Sequence, residues 1–152
     1  MDNTKFTKQF VALTMATLRA DGIIEQVELD TIKEQAADLE LDMVEVEKCI
    51  AEESNIQKNV NIESYIKEIG SSVENLGDKH CIMDGCILVA LSDKILKESE
   101  IKVLKFVCEA LGFSLERMVL DIAIIAQNDR SIKIEGSDSN FDEVIEDEDY
   151  KN

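Results

Sequence analysis

Two pairs of carboxylates stand at the same spacing in this sequence, Asp21 with Glu28 and Asp93 with Glu100. Carboxylate oxygens gathered around a bend are hard donors of the kind that bind Ca2+ or Mg2+. The first pair lies in Asp21-Gly22, five residues, then Glu28, which matches the second half of an EF-hand loop. The first half does not match. Its ligand positions would fall on Thr17 and Arg19, or on Val89 and Leu91 in the second pair, and the turn glycine is replaced there by Lys94. An EF-hand is therefore excluded. Two acids per bend are too few for a tight cage, so Asp21, Glu28, Asp93 and Glu100 are candidate ligands of one or two weak sites. A capping role accounts for the same residues without any ligand. Asp21-Gly22 ends a helix, and a glutamate in the first turn of the next helix reaches back to unpaired backbone N–H groups.

The two pairs belong to an internal repeat. Phe10 to Ala51 aligns without a gap on Ile82 to Ala123, a shift of 72 residues. Seven of the forty-two positions are identical, against about three expected from ordinary residue usage. Most other pairs exchange one apolar residue for another, as in Ile24/Leu96, Leu29/Ile101, Ile32/Leu104 and Val46/Met118.

Apolar residues at helical spacing predict seven helices. The first carries Phe6, Phe10, Leu13 and Leu18, and the second Leu29, Ile32, Ala36 and Leu39. The third follows Asp42 as N-cap, with Glu45 at capping-box distance. Glu53 to Asn59 reads as a polar connection. A fourth helix carries Ile62, Ile66, Ile69, Val73 and Leu76 and stops at Gly77. The fifth, from about Lys79 to Ser92, is apolar nearly all round and belongs at the centre, with Gly85 permitting close approach of a neighbour. The sixth ends at Gly112-Phe113, a Schellman stop. Ser114 caps the seventh, which turns Met118, Val119, Ile122 and Ile125 inward. The expectation is an all-α, seven-helix bundle made of two pseudo-twofold-related three-helix repeats joined by a linking helix. Only Ser131 to Glu135 alternates like a strand, and a lone strand cannot stand by itself.

Composition narrows the function. The chain of 152 residues carries net charge −17 and no proline, so nothing interrupts a helix ladder. Positions 1–128 read as one helical domain and 129–152 as an acidic tail whose composition favours disorder, with Phe141, Val144 and Ile145 at the spacing of a short docking helix. Nucleic acid is excluded as a partner, since binding it rests on cationic neutralisation of phosphates. No apolar run is long enough to cross a bilayer, and the amino terminus leads directly into an amphipathic pattern rather than a signal peptide. Cys49, Cys81, Cys86 and Cys108 form no CxxC pair and fall within helical patterns, which reads as buried reduced thiols. His80 and Cys81 are neighbours on a helix and point apart, so they make no nucleophile–base pair. No Ser-nucleophile, phosphate-loop, zinc-protease or dinucleotide motif is present.

Ala20-Asp21-Gly22-Ile23-Ile24 with Glu28, echoed by Asp93, Leu96 and Glu100 in a helical chain, resembles the TerB-like family. These are small acidic domains found with tellurite-resistance operons and at the front of DjlA-type co-chaperones. The resemblance spans about Phe6 to Gln127. It implies a seven-helix bundle, a cytoplasmic location, no established catalysis, roles in stress-response complexes near the inner membrane, and acids suspected of binding metal. Lys94 in place of glycine departs from the pattern, as do Glu25 and Lys97 where the family commonly has a Ser or Thr cap. The expected function is a non-enzymatic binding or scaffold domain with a protein partner. Its candidate cofactor is Ca2+ or Mg2+ bound weakly, and any membrane association is peripheral, through that partner. The alternatives are a metal-dependent enzyme using the acidic junctions and an oligomerisation module.

Overall fold

The computed structural model describes residues 3–128 and 132–134; the side chains of Asp21, Lys133 and Ile134 lie outside that description, as does the acidic tail from 135 onward. The described residues form an all-α bundle of seven helices. They are α1 (Thr4–Leu18), α2 (Gln26–Asp38), α3 (Met43–Ile56), α4 (Ile62–Ser71), α5 (Leu76–Ala90), α6 (Glu98–Leu111) and α7 (Leu115–Asn128). A 3-10 turn, Arg19–Asp21, extends α1.

A shift of 72 residues carries α1 onto the bounds of α5 and α3 onto those of α7, and α2 onto α6 to within one residue at its end. The backbone repeats too. The described positive-φ residues are Gly22 (86°), Glu40 (60°), Lys94 (66°) and Gly112 (83°), two pairs each 72 apart. Gly112 closes α6 in a Schellman arrangement, with the Phe113 N–H on Cys108 O and the Gly112 N–H on Glu109 O, both at 3.0 Å. Glu40 closes α2 the same way, through Leu41 N–H to Ala36 O and Glu40 N–H to Ala37 O. The packing is less regular than the chain. α3 lies along α1 over a long seam, whereas α7 meets α5 only lightly, and α4 packs chiefly on α6.

The centre differs from the sequence expectation. α5 is buried at Ile82, Met83, Gly85, Cys86 and Ile87 as expected, but α1 is buried almost continuously from Gln9 to Leu18 and touches α3, α4, α5 and α6. Two threonines disguised this. Thr14 and Thr17 are fully buried and return their hydroxyl protons to the carbonyls of Phe10 (2.8 Å) and Leu13 (2.9 Å), so neither needs solvent. The Phe10 ring lies where a side chain at Gly85 would project, 2.6 Å from an added Cβ, which bears out the close approach at Gly85. On α7, Val119 is 60% exposed rather than inward, and Asp121 is buried instead, held by Arg117 at 3.2 Å. α5 begins at Leu76, earlier than expected, because Asn75 Oδ1 accepts from the Asp78 N–H. The alternating stretch near 133 finds a partner after all: β2 (Lys133–Ile134) runs parallel to β1 (Ile95–Leu96) over two residues each.

Candidate functional site at the helix junctions

Both junctions are built alike. At the first, α1 ends in the 3-10 turn, Gly22 takes a positive φ, and Glu25 in extended conformation opens α2. The Glu25 N–H donates to Glu28 Oε1 at 2.8 Å. At the second, Lys94 takes the positive φ and Lys97 opens α6, and the Lys97 N–H donates to Glu100 Oε1 at 3.0 Å. An ammonium accepts no hydrogen bond, so at Lys97 only this arm of a capping box forms. Both glutamates are buried, 4% and 1% exposed, and their negative charge sits at the positive end of a helix. The capping use of these acids is therefore realised in the structure.

Asp93 is engaged at both oxygens. The Ile95 N–H donates to Oδ1 (3.0 Å) and Lys97 Nζ stands 3.4 Å from Oδ2. A cation there would compete with an ammonium. At the first junction the corresponding residue to Lys97 is Glu25, so that corner carries more negative charge. The 3-10 turn bearing Asp21 packs against α6, the helix bearing Glu100. Among the described residues no three His, Cys, Asp or Glu side chains gather as a metal-binding group, so Glu28, Asp93 and Glu100 form no shared cluster.

Beside the first junction lies a buried polar network that the sequence reading placed in a loop. Glu53 and Gln57, on α3 and its C-terminal cap, are 1% and 3% exposed. The Tyr65 hydroxyl donates to Glu53 (2.7 and 2.9 Å), and Gln57 Nε2 donates to Glu53 Oε1 (3.1 Å) and to Ala12 O (2.9 Å). Arg19 Nε, two residues before Asp21, donates to Gln57 Oε1 at 3.1 Å. Burial and the Glu53 carboxylate push the Tyr65 phenol well above its ordinary value. The signal was present: Val46, Cys49, Ile50, Glu53 and Gln57 continue one helical stripe.

Three of the four thiols are buried, and Cys81 is half-buried. Burial pushes the Cys86 thiol up to about 12, and burial with Glu45 beside it pushes Cys49 up to about 11. Cys108 is buried with its sulfur 3.2 Å from Ser114 O and 3.3 Å from Phe113 O. The His80 ring lies against Phe113, centroids 4.8 Å apart. Near it, Asp84 is held above its ordinary carboxylate value by desolvation and then by Asp121, against the pull of His80 and Arg117.

Fold and junctions together define an acidic all-α domain in which one kind of helix–bend–helix junction occurs at two places. The family described as tellurite resistance protein TerB matches residues 7–120, three quarters of the chain, and this chain belongs to that family. No curated protein and no solved structure matches it. Among the described residues no helix is long and apolar enough to cross a membrane.

Proposed function

We propose that this chain is a non-enzymatic binding and scaffold domain that works within a cytoplasmic stress-response assembly of the tellurite-resistance type. Its two acidic junctions would be weak Ca2+ or Mg2+ sites, with Asp21 and Glu28 forming the stronger and Asp93 and Glu100 the weaker. The observation that carries the reading is the repetition of one acidic bend in a chain of the TerB family, down to the left-handed residue and the buried glutamate. Supporting it, Cys49, Cys86 and Cys108 are buried and the imidazole lies against Phe113, and net charge −17 favours cationic ligands and basic partners. We also take the 72-residue register as the trace of a duplicated ancestral triplet whose two copies face each other.

Calorimetric titration with CaCl2 and with MgCl2 tests the cation reading. The native chain is expected to bind with Kd of about 0.1–1 mM, the range of sites with few charged ligands. Glu28→Gln/Glu100→Gln keeps an acceptor for each N-cap N–H and removes two charges, so binding should weaken severalfold while the helical circular dichroism is retained. Equal heats from the two proteins would end the cation reading.

A further inference from the structure

The seam between α4 and α6 has a counterpart elsewhere on the molecule. α4 rests on a row of α6 that includes Phe106 and Ala110, and Gly70 approaches so closely that an added Cβ would lie 2.5 Å from that of Ala110. Shifting Val103, Phe106, Val107 and Ala110 back by 72 residues gives Thr31, Glu34, Gln35 and Asp38 of α2. Those four residues line one wall of a groove of about 520 Å³. Its other walls include Leu88 and Leu91 at the end of α5, Ile125 of α7, and Ile132. Leu88 is 41% exposed there. Among the described elements α2 packs on α1, α3 and α5, and none lies along this row as α4 lies along α6.

The two rows differ in chemistry. Where α6 offers phenylalanine and alanine to its partner helix, α2 offers two carboxylates, a hydroxyl and an amide over an apolar floor. Among the described lining residues the cation is Lys94, against the acids Glu34 and Asp38. An occupant must therefore be apolar on one side and basic along its edges. The chain's own tail fails on charge. In the 72-residue register Ile134, Phe141 and Ile145 fall on apolar positions 62, 69 and 73, yet Asp138 falls where α4 has the fully buried Ile66, and residues 129–152 carry nine acids against three bases.

We propose that the groove between α2 and the end of α5 is a docking site for a basic amphipathic helix of a partner protein, seated as α4 is seated on α6. Such helix-in-groove recognition uses apolar anchors at helical spacing, and charges along the rim fix register and speed encounter. A helix the length of α4, ten residues, spans about 15 Å. The inference rests on the reading of the chain as a binding module and names the chemistry of its partner.

The test uses a fluorescent synthetic peptide with isoleucine at the positions of Ile62, Ile66, Ile69 and Val73 and lysine at the others, titrated by anisotropy into the full chain. Salt is held at about 0.15 M, where charges beyond about 8 Å are screened. Glu34→Lys/Asp38→Lys is expected to weaken binding by about tenfold or more, while Glu47→Lys/Glu52→Lys, the same charge change on α3, weakens it by less than about threefold. A peptide with glutamate for lysine should bind at least about tenfold less tightly than the lysine peptide. Equal losses from the two charge-reversal pairs, no measurable binding, or equal binding of the glutamate peptide would overturn the proposal. So would a severalfold gain in affinity on Phe141→Ser/Ile145→Ser, which would make the tail the occupant. The calcium titration of the junctions is independent of all these outcomes and judges the cation reading separately.

Discussion

At the scale of single residues, the junctions turn on one backbone angle. A side chain in left-handed conformation crowds its own carbonyl, at a cost of about 1–2 kcal/mol that glycine escapes. Gly22 meets that demand at the first junction, and Lys94 bears it at the second with φ of 66°. An added Cβ at Gly22 would meet nothing within 4 Å, so its substitution isolates the conformational cost from crowding. Gly22→Ala is expected to lower stability by about 1–2 kcal/mol in urea unfolding. Lys94→Gly should gain about 0.5–1 kcal/mol, the relief of strain less the extra chain entropy of glycine. A Gly22→Ala chain as stable as the native one would show that the bend relaxes to another geometry. Glu28 and Glu100 were legible as first-turn acids because capping is local, set by residues three apart. Whether they also bind a cation depends on what surrounds them in space, and spacing along the chain does not carry that.

At the scale of elements, helix positions followed from apolar periodicity, and the misjudged side chains share one cause: polar residues buried because another side chain satisfies them. Glu53 and Gln57 look like a connection because they are polar, yet they extend the inward stripe of α3. Tyr65, twelve residues on, supplies the donor that makes Glu53 tolerable inside. Asp121 is the same case on α7, with Arg117 as its partner. β1 was missed because two residues leave no alternating pattern to read, whereas the alternation around β2 was visible and lacked only the partner that β1 supplies. The Glu53–Tyr65 contact ties α3 to α4, and Gln57 ties both to α1. Tyr65→Phe removes a donor from a buried carboxylate and should cost about 1–3 kcal/mol. Glu53→Gln alone leaves an amide that still accepts from the phenol, and the double variant should lose less than the sum of the two, since the residues share one interaction. Strict additivity in urea unfolding would show that the two side chains act independently.

At the scale of the whole molecule, the chain sets a high negative charge around a core threaded by α1. Self-repulsion at −17 opposes compaction, so cohesion falls to the packing of α1 and α5 against their neighbours. The four thiols sample that packing at graded depth. Cys81 is half-buried, whereas Cys49, Cys86 and Cys108 are buried, and Cys86 lies on α5 with no exposed surface. Thiolate is the reacting form, so a thiol pushed up to about 12 supplies very little of it at pH 8, and the reagent must also reach the sulfur. With an aromatic disulfide reagent at pH 8, Cys81 should react first. Cys86 should react only through opening of the bundle, at a rate that rises with urea in parallel with global unfolding. Cys49, 2% exposed on α3, should fall between them, because α3 packs on α1 and α2 and α5 packs on α1, α2, α6 and α7. Simultaneous reaction of all four thiols in the absence of denaturant would mean that α1 and α5 separate readily. The acidic junctions would then sit on a loose frame, unable to hold the carboxylates in the fixed geometry that cation binding requires.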